Sequence, residues 1–222
     1  MQTSPIEYIF FDIGYTLVNE DDVWRERCRE QAATQQSQQN GITAERLWNE
    51  LQAASDLLKP QWKYVINKFG FTESAKYKSE LETLYDDTHN VLEKLSKKFR
   101  LGIIANQSGD LSARLYSFGI DEYFSTVISS SDYGIGKPDK RLFTIALEKS
   151  GVEAHNAVMI GDRLDNDILP ANELGFTTVH IKQGYAKSQL PPTDSYKPTY
   201  VVNNLTEILA LPFVKNKRVC LQ

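Results

Sequence analysis

The apolar positions of the chain come in two textures. Glu7-Tyr8-Ile9-Phe10-Phe11-Asp12 is a short run of β-branched and aromatic residues that ends in a carboxylate, with Gly14 two positions on. It predicts a buried strand that delivers Asp12 to its C-terminal tip. From about Asp21 to Tyr85 the spacing turns helical, with Val23, Trp24 and Cys28, then Leu47, Trp48, Leu51 and Ala54, then Trp62, Val65, Ile66 and Phe69 on successive apolar stripes. Thr43 suits an N-cap, Pro60 a first helical turn and Gly70 a helix end. The Gln-rich patch from Gln31 to Asn40 reads as a solvated helix end and loop, and Arg25, Arg27 and Arg29 as a solvated helix face. The tryptophans Trp24, Trp48 and Trp62 lie on the apolar stripes and are read first as packing groups.

After Asp87-Thr88, an N-cap signal, helix and strand alternate: helix 90–98, strand 100–105, helix 111–118 closed by Gly119, strand 125–129, helix 140–149, strand 157–160, helix 166–174 and strand 177–181. Such alternation predicts a parallel sheet covered by helices on both faces, with right-handed crossovers. The expected fold is a doubly wound parallel α/β core with a helical insertion between its first and second strands.

A length of 222 residues fits one core domain with a modest insertion. Hydrophobic residues at 41% and charged residues at 24% exclude a disordered or low-complexity chain. A net charge of −4 gives no basic surface for nucleic acid or anionic lipid. No apolar run approaches the length of a membrane span, and Met1 to Glu7 lacks a basic-then-apolar export signal, so a cytoplasmic protein is expected. Cys28 and Cys220 are too few for a disulfide framework or a thiolate zinc site and are read as free thiols, Cys28 on a helix face. His89, His155 and His180 are scattered without ligand spacing, which reads as surface or satisfied core positions.

Ligands of open parallel sheets bind in the crevice beyond the carboxyl ends of the strands. The residues expected there are Asp12, Asn106 with Ser108, the stretch from Ser129 to Lys137, and Gly161-Asp162 with Asp165 and Asp167. Acids that converge raise each other's pKa unless a cation intervenes, and Mg²⁺, which takes oxygen ligands and needs no histidine, is the natural one. Asp12 can then attack phosphorus to form an aspartyl-phosphate, or simply cap a turn before Gly14; both readings stand at this level. A lysine before proline is ordinarily solvated, but beside Asp12 and Asp162 Lys137 becomes a site residue. Gly134-Ile135-Gly136-Lys137 is not a nucleotide phosphate loop, because Pro138 stands where Ser or Thr belongs and no Gly lies five residues before Gly136. The stretch lacks the third glycine of a dinucleotide fingerprint, and no Ser/His pair sits in a nucleophile-elbow context.

Four segments, Phe11-Asp12-Ile13-Gly14-Tyr15-Thr16-Leu17, Ile103-Ile104-Ala105-Asn106, Gly136-Lys137-Pro138-Asp139 and Gly161-Asp162-Arg163-Leu164-Asp165-Asn166-Asp167, resemble in order the four motifs of the haloacid dehalogenase superfamily. The resemblance runs from about Tyr8 to Ile181 and implies a Rossmann-like core domain at 1–17 and 88–222 with a helical cap domain at 18–87. It implies that Asp12 is the nucleophile and a Mg²⁺ ligand, that Lys137 neutralises nucleophile and phosphoryl charge, and that Asn106 and Ser108 bind the phosphoryl group. Asp162 and Asp167 would bind the metal, Asp167 through water, and Gly14 would offer its backbone carbonyl.

The chain departs from the family pattern twice. Most phosphatases of the family carry, two residues after the nucleophile, a second Asp that protonates the leaving group and activates water; here Gly14 stands there. Losing general acid–base help costs ~10²–10⁴-fold, so weak activity on alkyl phosphates is expected unless Asp165 or a cap side chain substitutes. Ala105 replaces a Ser or Thr that donates to the phosphoryl oxygens, a loss that the Asn106 N–H or Ser108 Oγ can offset. The leading expectation is a Mg²⁺-dependent phosphatase of a small phosphorylated metabolite. The alternatives are a carbon–halogen hydrolase, whose halide needs no proton to leave, and a binding or regulatory protein that kept the fold.

Overall fold

The computed structural model describes residues 5–107, 109 and 111–217. The chain opens with β1 (Tyr8–Phe11), all four of whose side chains are inaccessible to solvent. A tight turn follows, closed by Tyr15 N donating to Val18 O at 2.7 Å, and leads into the two-residue β2 (Val18–Asn19). The insertion comprises α1 (Asp21–Ala33), α2 (Gln35–Gln39), α3 (Ala44–Asp56) and α4 (Gln61–Phe69). It returns through β3 (Thr83–Leu84), antiparallel to β2. The remainder alternates as α5 (Thr88–Ser96), β4 (Arg100–Ala105), α6 (Leu111–Ser117), β5 (Phe124–Ser129), α7 (Ser130–Tyr133), α8 (Lys140–Ser150), β6 (Ala157–Gly161), α9 (Leu169–Leu174), β7 (Thr177–Ile181) and β8 (Tyr200–Val202). Two short helices, α10 (Leu205–Ile208) and α11 (Pro212–Lys215), close it.

The main sheet has the order β5-β4-β1-β6-β7-β8, and every neighbouring pair is parallel. The doubly wound α/β core expected from the alternation is therefore what forms. The chain winds outward from β1 through β4 and β5, then crosses back to β6, so the strand order reverses beside β1. Successive strand side chains point to opposite faces, and β1 feeds two cores by that rule. Ile9 and Phe11 pack with Val91, Leu92 and Leu95 of α5, whereas Tyr8 and Phe10 pack with Leu142, Phe143 and Ala146 of α8. The insertion has a core of its own around Leu47, Leu51, Val65 and Cys28.

Local signals explain most boundaries. Thr43 Oγ1 accepts from Arg46 N at 3.1 Å to start α3, and Gly70 ends α4 at φ 62°. Asp87 stands at the N-cap of α5, but its carboxylate instead accepts from Thr206 N and Oγ1, both at 2.8 Å. Three expectations need correction. The Gln-rich patch is a solvated end only in part: residues 35–39 form α2, with Gln35, Gln38 and Gln39 exposed, but buried Gln31 donates to Glu73 O (3.1 Å) and accepts from Ala75 N (2.8 Å). An amide carries both a donor and an acceptor, so it can tie down an irregular segment that has no strand partner. Arg27 is not simply solvated, because its guanidinium lies 4.1 Å over the Trp62 ring and its Nε donates to Ala75 O. The helix expected at 166–174 begins earlier, as a π-helical turn at Leu164–Ile168 that runs into α9.

Cys28 is a free buried thiol on α1, pushed up to about 12 by burial, so it is an inert packing group. Cys220 lies outside the described residues. Among the described residues no helix is long and apolar enough to cross a membrane. Because Leu92 of α5 is fully buried in the core that includes Ile9 and Phe11 of β1, Leu92→Ala should lower unfolding free energy by about 2–5 kcal/mol in urea titration; a loss near zero would refute this packing.

Candidate active site

The reversal beside β1 brings three strand ends together. Asp12 follows β1 directly, and its backbone N–H donates to Ile160 O of β6 at 2.9 Å, which fixes the two tips side by side. Asp162 follows β6, and Asn106 follows β4. Carboxylate oxygens of Asp12, Asp162 and Asp167 all lie within 4.8 Å of one another. The Lys137 ammonium sits among them, 2.7 Å from Asp12 Oδ1 and 2.6 Å from Asp167 Oδ1. Lys137 comes from a loop that makes no ladder with these strands, and Asn106 clamps it there. The Asn106 carboxamide accepts from Lys137 N at 2.7 Å and donates to Lys137 O at 2.8 Å.

Asp167 is fully buried, and the π-helical turn aims it back at the tip of β6, where its Oδ2 accepts from Arg163 N at 3.0 Å. A π-turn of this kind re-aims a side chain without ending the helix. Its close approach requires Gly161, because a Cβ there would overlap the Asp167 carboxyl. His180 is a satisfied core residue, its Nε2 2.8 Å from Asp162 O behind the site, and burial lowers its pKa.

Three carboxylates, the buried Asp162 and Asp167 and the half-buried Asp12, face one ammonium, and the electrostatics record the imbalance. Burial, followed by the charges of Asp167 and Asp12, holds Asp162 well above the usual carboxylate range. Burial pushes Asp167 up to about 6, although Lys137 pulls the other way. Burial by itself would lower the Lys137 pKa, but Asp12 and Asp167 outweigh it and raise it. No ammonium or guanidinium lies within ion-pair distance of Asp162 among the described residues. A surplus of carboxylate oxygens over the one ammonium is the donor set that a hard divalent ion fits.

These residues open into a cavity of about 140 Å³, lined also by Trp24 and Gln61 of the inserted helices and by Tyr185 and Arg163. The insertion is latched over it: Gln189 donates to Ser55 O at 2.8 Å, Ser188 Oγ to Asp56 Oδ1 at 2.7 Å, and Arg163 to Lys59 O at 3.4 Å. Of the residues expected at the site, Asp12, Asn106, Lys137, Asp162 and Asp167 converge. The Gly14 carbonyl accepts no hydrogen bond among the described residues and remains available. Ser108 lies outside the described residues. Asp165 is drawn aside by Arg163, whose Nη2 is 2.6 Å from Asp165 Oδ2.

Sequence reasoning missed Glu20. It is the N-cap residue of α1 yet does not cap it; the side chain turns into the cavity, where Oε2 accepts from Trp24 Nε1 at 2.8 Å. Burial pushes it up to about 7, a shift that the Trp24 hydrogen bond offsets only in part. Trp24, read first as a packing group, is therefore also a site residue. A carboxylate ahead of a helix is an ordinary N-terminal signal, and nothing in its spacing announced the inward turn.

Comparison with known proteins bears on the family and the fold. The chain matches the haloacid dehalogenase-like hydrolase family over residues 9–181. It is 40% identical over 103 residues to the glyceraldehyde 3-phosphate phosphatase of Methanocaldococcus jannaschii, a match covering 46% of this chain and 43% of that one. A Methanopyrus kandleri protein of the same name is 25% identical over 226 residues, spanning 92% of this chain and 96% of that one. Among solved structures, a HAD phosphatase from Thermococcus onnurineus superposes with a TM-score of 0.68 at 24% identity, covering 96% of this chain and all (100%) of that one. A 2-haloacid dehalogenase from Pseudomonas syringae gives 0.60 at 22%, covering 92% and 97%.

The raised acids set a pH dependence. Glu20 and Asp167 hold protons in the folded state at pH values where the unfolded chain has lost them, so folding stability is present below their ordinary values of 4.5 and 3.8 and is lost as pH rises through about 6 to 7. In chelator, Tm should fall between about pH 5 and 7.5, and Glu20→Gln should flatten part of that slope. A wild-type Tm that rises across this window would contradict the assignment.

Proposed function

The chain belongs to the haloacid dehalogenase-like hydrolases, and on that premise we propose that it is a Mg²⁺-dependent phosphatase of a small phosphorylated metabolite. The observation that carries this reading is the Lys137 ammonium 2.7 Å from Asp12 Oδ1, within a cluster of three carboxylates at a strand-order reversal. The phosphatase names of the relatives support phosphorus rather than carbon as the atom attacked.

Asp12 is the nucleophile. Its Oδ2 attacks phosphorus while Lys137 stays on Oδ1, so the same ammonium that orients the carboxylate also faces the phosphoryl charge. Asn106 fixes Lys137 by both backbone groups and itself lines the cavity in which the phosphoryl group would sit. Asp12, Asp162 and Asp167, with the Gly14 carbonyl, would hold Mg²⁺, which supplies charge neutralisation of the phosphoryl oxygens when bound. Residues 18–87 form the cap that shields the cavity from water, with Trp24 and Gln61 among the residues that line it. Carbon–halogen hydrolysis is the weaker reading, because it requires no cation and the carboxylates here outnumber the ammonium.

Asp12→Asn should abolish turnover of a phosphate-ester panel and the covalent adduct at residue 12; activity near the wild-type level would sink the nucleophile. Chelator should remove activity and Mg²⁺ restore it. Mg²⁺ should also raise Tm more at pH 7.5 than at pH 5.5, since it replaces protons that leave over that range. Turnover unchanged by chelator, or no Mg²⁺ effect on Tm, would refute the metal.

A further inference from the structure

The hydrogen atoms of Gly14 do not face empty space. A Cβ built on Gly14 would lie 2.8 Å from Glu20 Cδ and overlap Glu20 Oε1, so the Glu20 carboxylate occupies the volume that a side chain at position 14 would fill. Gly14 and Asp12 are two residues apart at the same strand tip, and all three residues line the same cavity. Glu20 is only 8% exposed; its carboxylate accepts from Trp24 Nε1 and has the Tyr77 hydroxyl as a second hydrogen-bonding neighbour, but it forms no ion pair among the described residues. Burying a carboxyl group that no cation balances is costly, and active sites are where such an arrangement is retained.

The other proton-bearing groups of the cavity are committed elsewhere. Lys137 is held between Asp12 and Asp167, and Asp162 belongs to the acidic cluster. The Tyr15 hydroxyl donates to Asp21 Oδ1 at 3.0 Å, and Asp165 pairs with Arg163. Tyr185 carries a phenol, whose ordinary pKa near ~10 suits neither accepting nor giving a proton at neutral pH.

We propose that Glu20 is a catalytic residue that supplies the proton to the leaving group and takes it back from water. The assignment rests on the phosphatase reading above. In the first half-reaction a bond forms between Asp12 Oδ and phosphorus, the bond from phosphorus to the ester oxygen breaks, and that oxygen departs as an alcohol carrying the Glu20 proton. In the second, the oxygen of water bonds to phosphorus, the Asp12–phosphorus bond breaks, and the proton of that water returns to Glu20. Inorganic phosphate leaves and both carboxyl groups regain their starting states. Because Glu20 starts the segment that becomes the cap and is held by Trp24 of α1, the proton donor is positioned by the same element that encloses the substrate.

The test compares glycerol phosphate, whose alkoxide must be protonated, with acetyl phosphate, whose acetate need not be. In Glu20→Gln, which preserves the acceptor for Trp24, kcat on glycerol phosphate should fall by ~10²–10⁴-fold. Acetyl phosphate should still phosphorylate Asp12, and the phosphoryl-enzyme should accumulate in intact-mass spectra because its hydrolysis lacks a base. Gly14→Asp should lose activity by colliding with Glu20, and the pair Gly14→Asp with Glu20→Ala should recover glycerol phosphate hydrolysis at least tenfold over Glu20→Ala alone. Equal fractional losses on both substrates with no accumulated adduct, or a Glu20→Gln enzyme as active as wild type, would overturn the role of Glu20 while leaving the phosphatase reading intact. Wild-type protein inert towards both substrates and never phosphorylated would overturn that reading, and this assignment with it.

Discussion

The contact of Lys137 with Asp12 and Asp167 is the constraint around which the rest is arranged. A lysine almost wholly removed from water requires paired charges, and here two carboxylates at 2.7 and 2.6 Å supply them. Each partner arrives by a different route: Asp12 on a strand tip, Asp167 on a π-helical turn, Lys137 on a loop held by Asn106. The third acid, Asp162, adds to carboxylates that already outnumber the one ammonium, and burial with the charges of Asp167 and Asp12 raises its pKa in response.

Absent side chains shape this site as much as those present. Gly161 lets the Asp167 carboxyl press against the tip of β6, and Gly14 leaves room for Glu20 to fold in beside Asp12. A bulkier residue at either place would displace a carboxylate, not merely crowd the backbone. The latch of Gln189 on Ser55 and the aromatic contacts of Tyr185 with Trp24 and Trp48 join the insertion to the core over the same cavity. Position of the insertion and geometry of the site are thereby linked.

Much of this was legible in the sequence, and the reason differs by residue. The alternation of strand and helix fixes a parallel sheet, because parallel strands need crossovers, and the tip residues of such a sheet must share one crevice. Asp12, Asn106, Lys137, Asp162 and Asp167 could therefore be named together from a one-dimensional text. The exposure of Gln31 and Arg27 was misjudged, since polar side chains that satisfy backbone groups or stack on rings are buried by partners far away in the chain.

What the sequence determined by itself was the order of the elements and the identity of the strand-tip acids, because both follow from local periodicity and chain direction. What only the tertiary structure decided was the fate of the space over Gly14. A missing side chain leaves a volume, and which group fills it depends on how an inserted helical segment folds back onto the sheet. No periodicity encodes that direction, so Glu20 passed as a helix-terminal acid until its carboxylate was seen against Gly14.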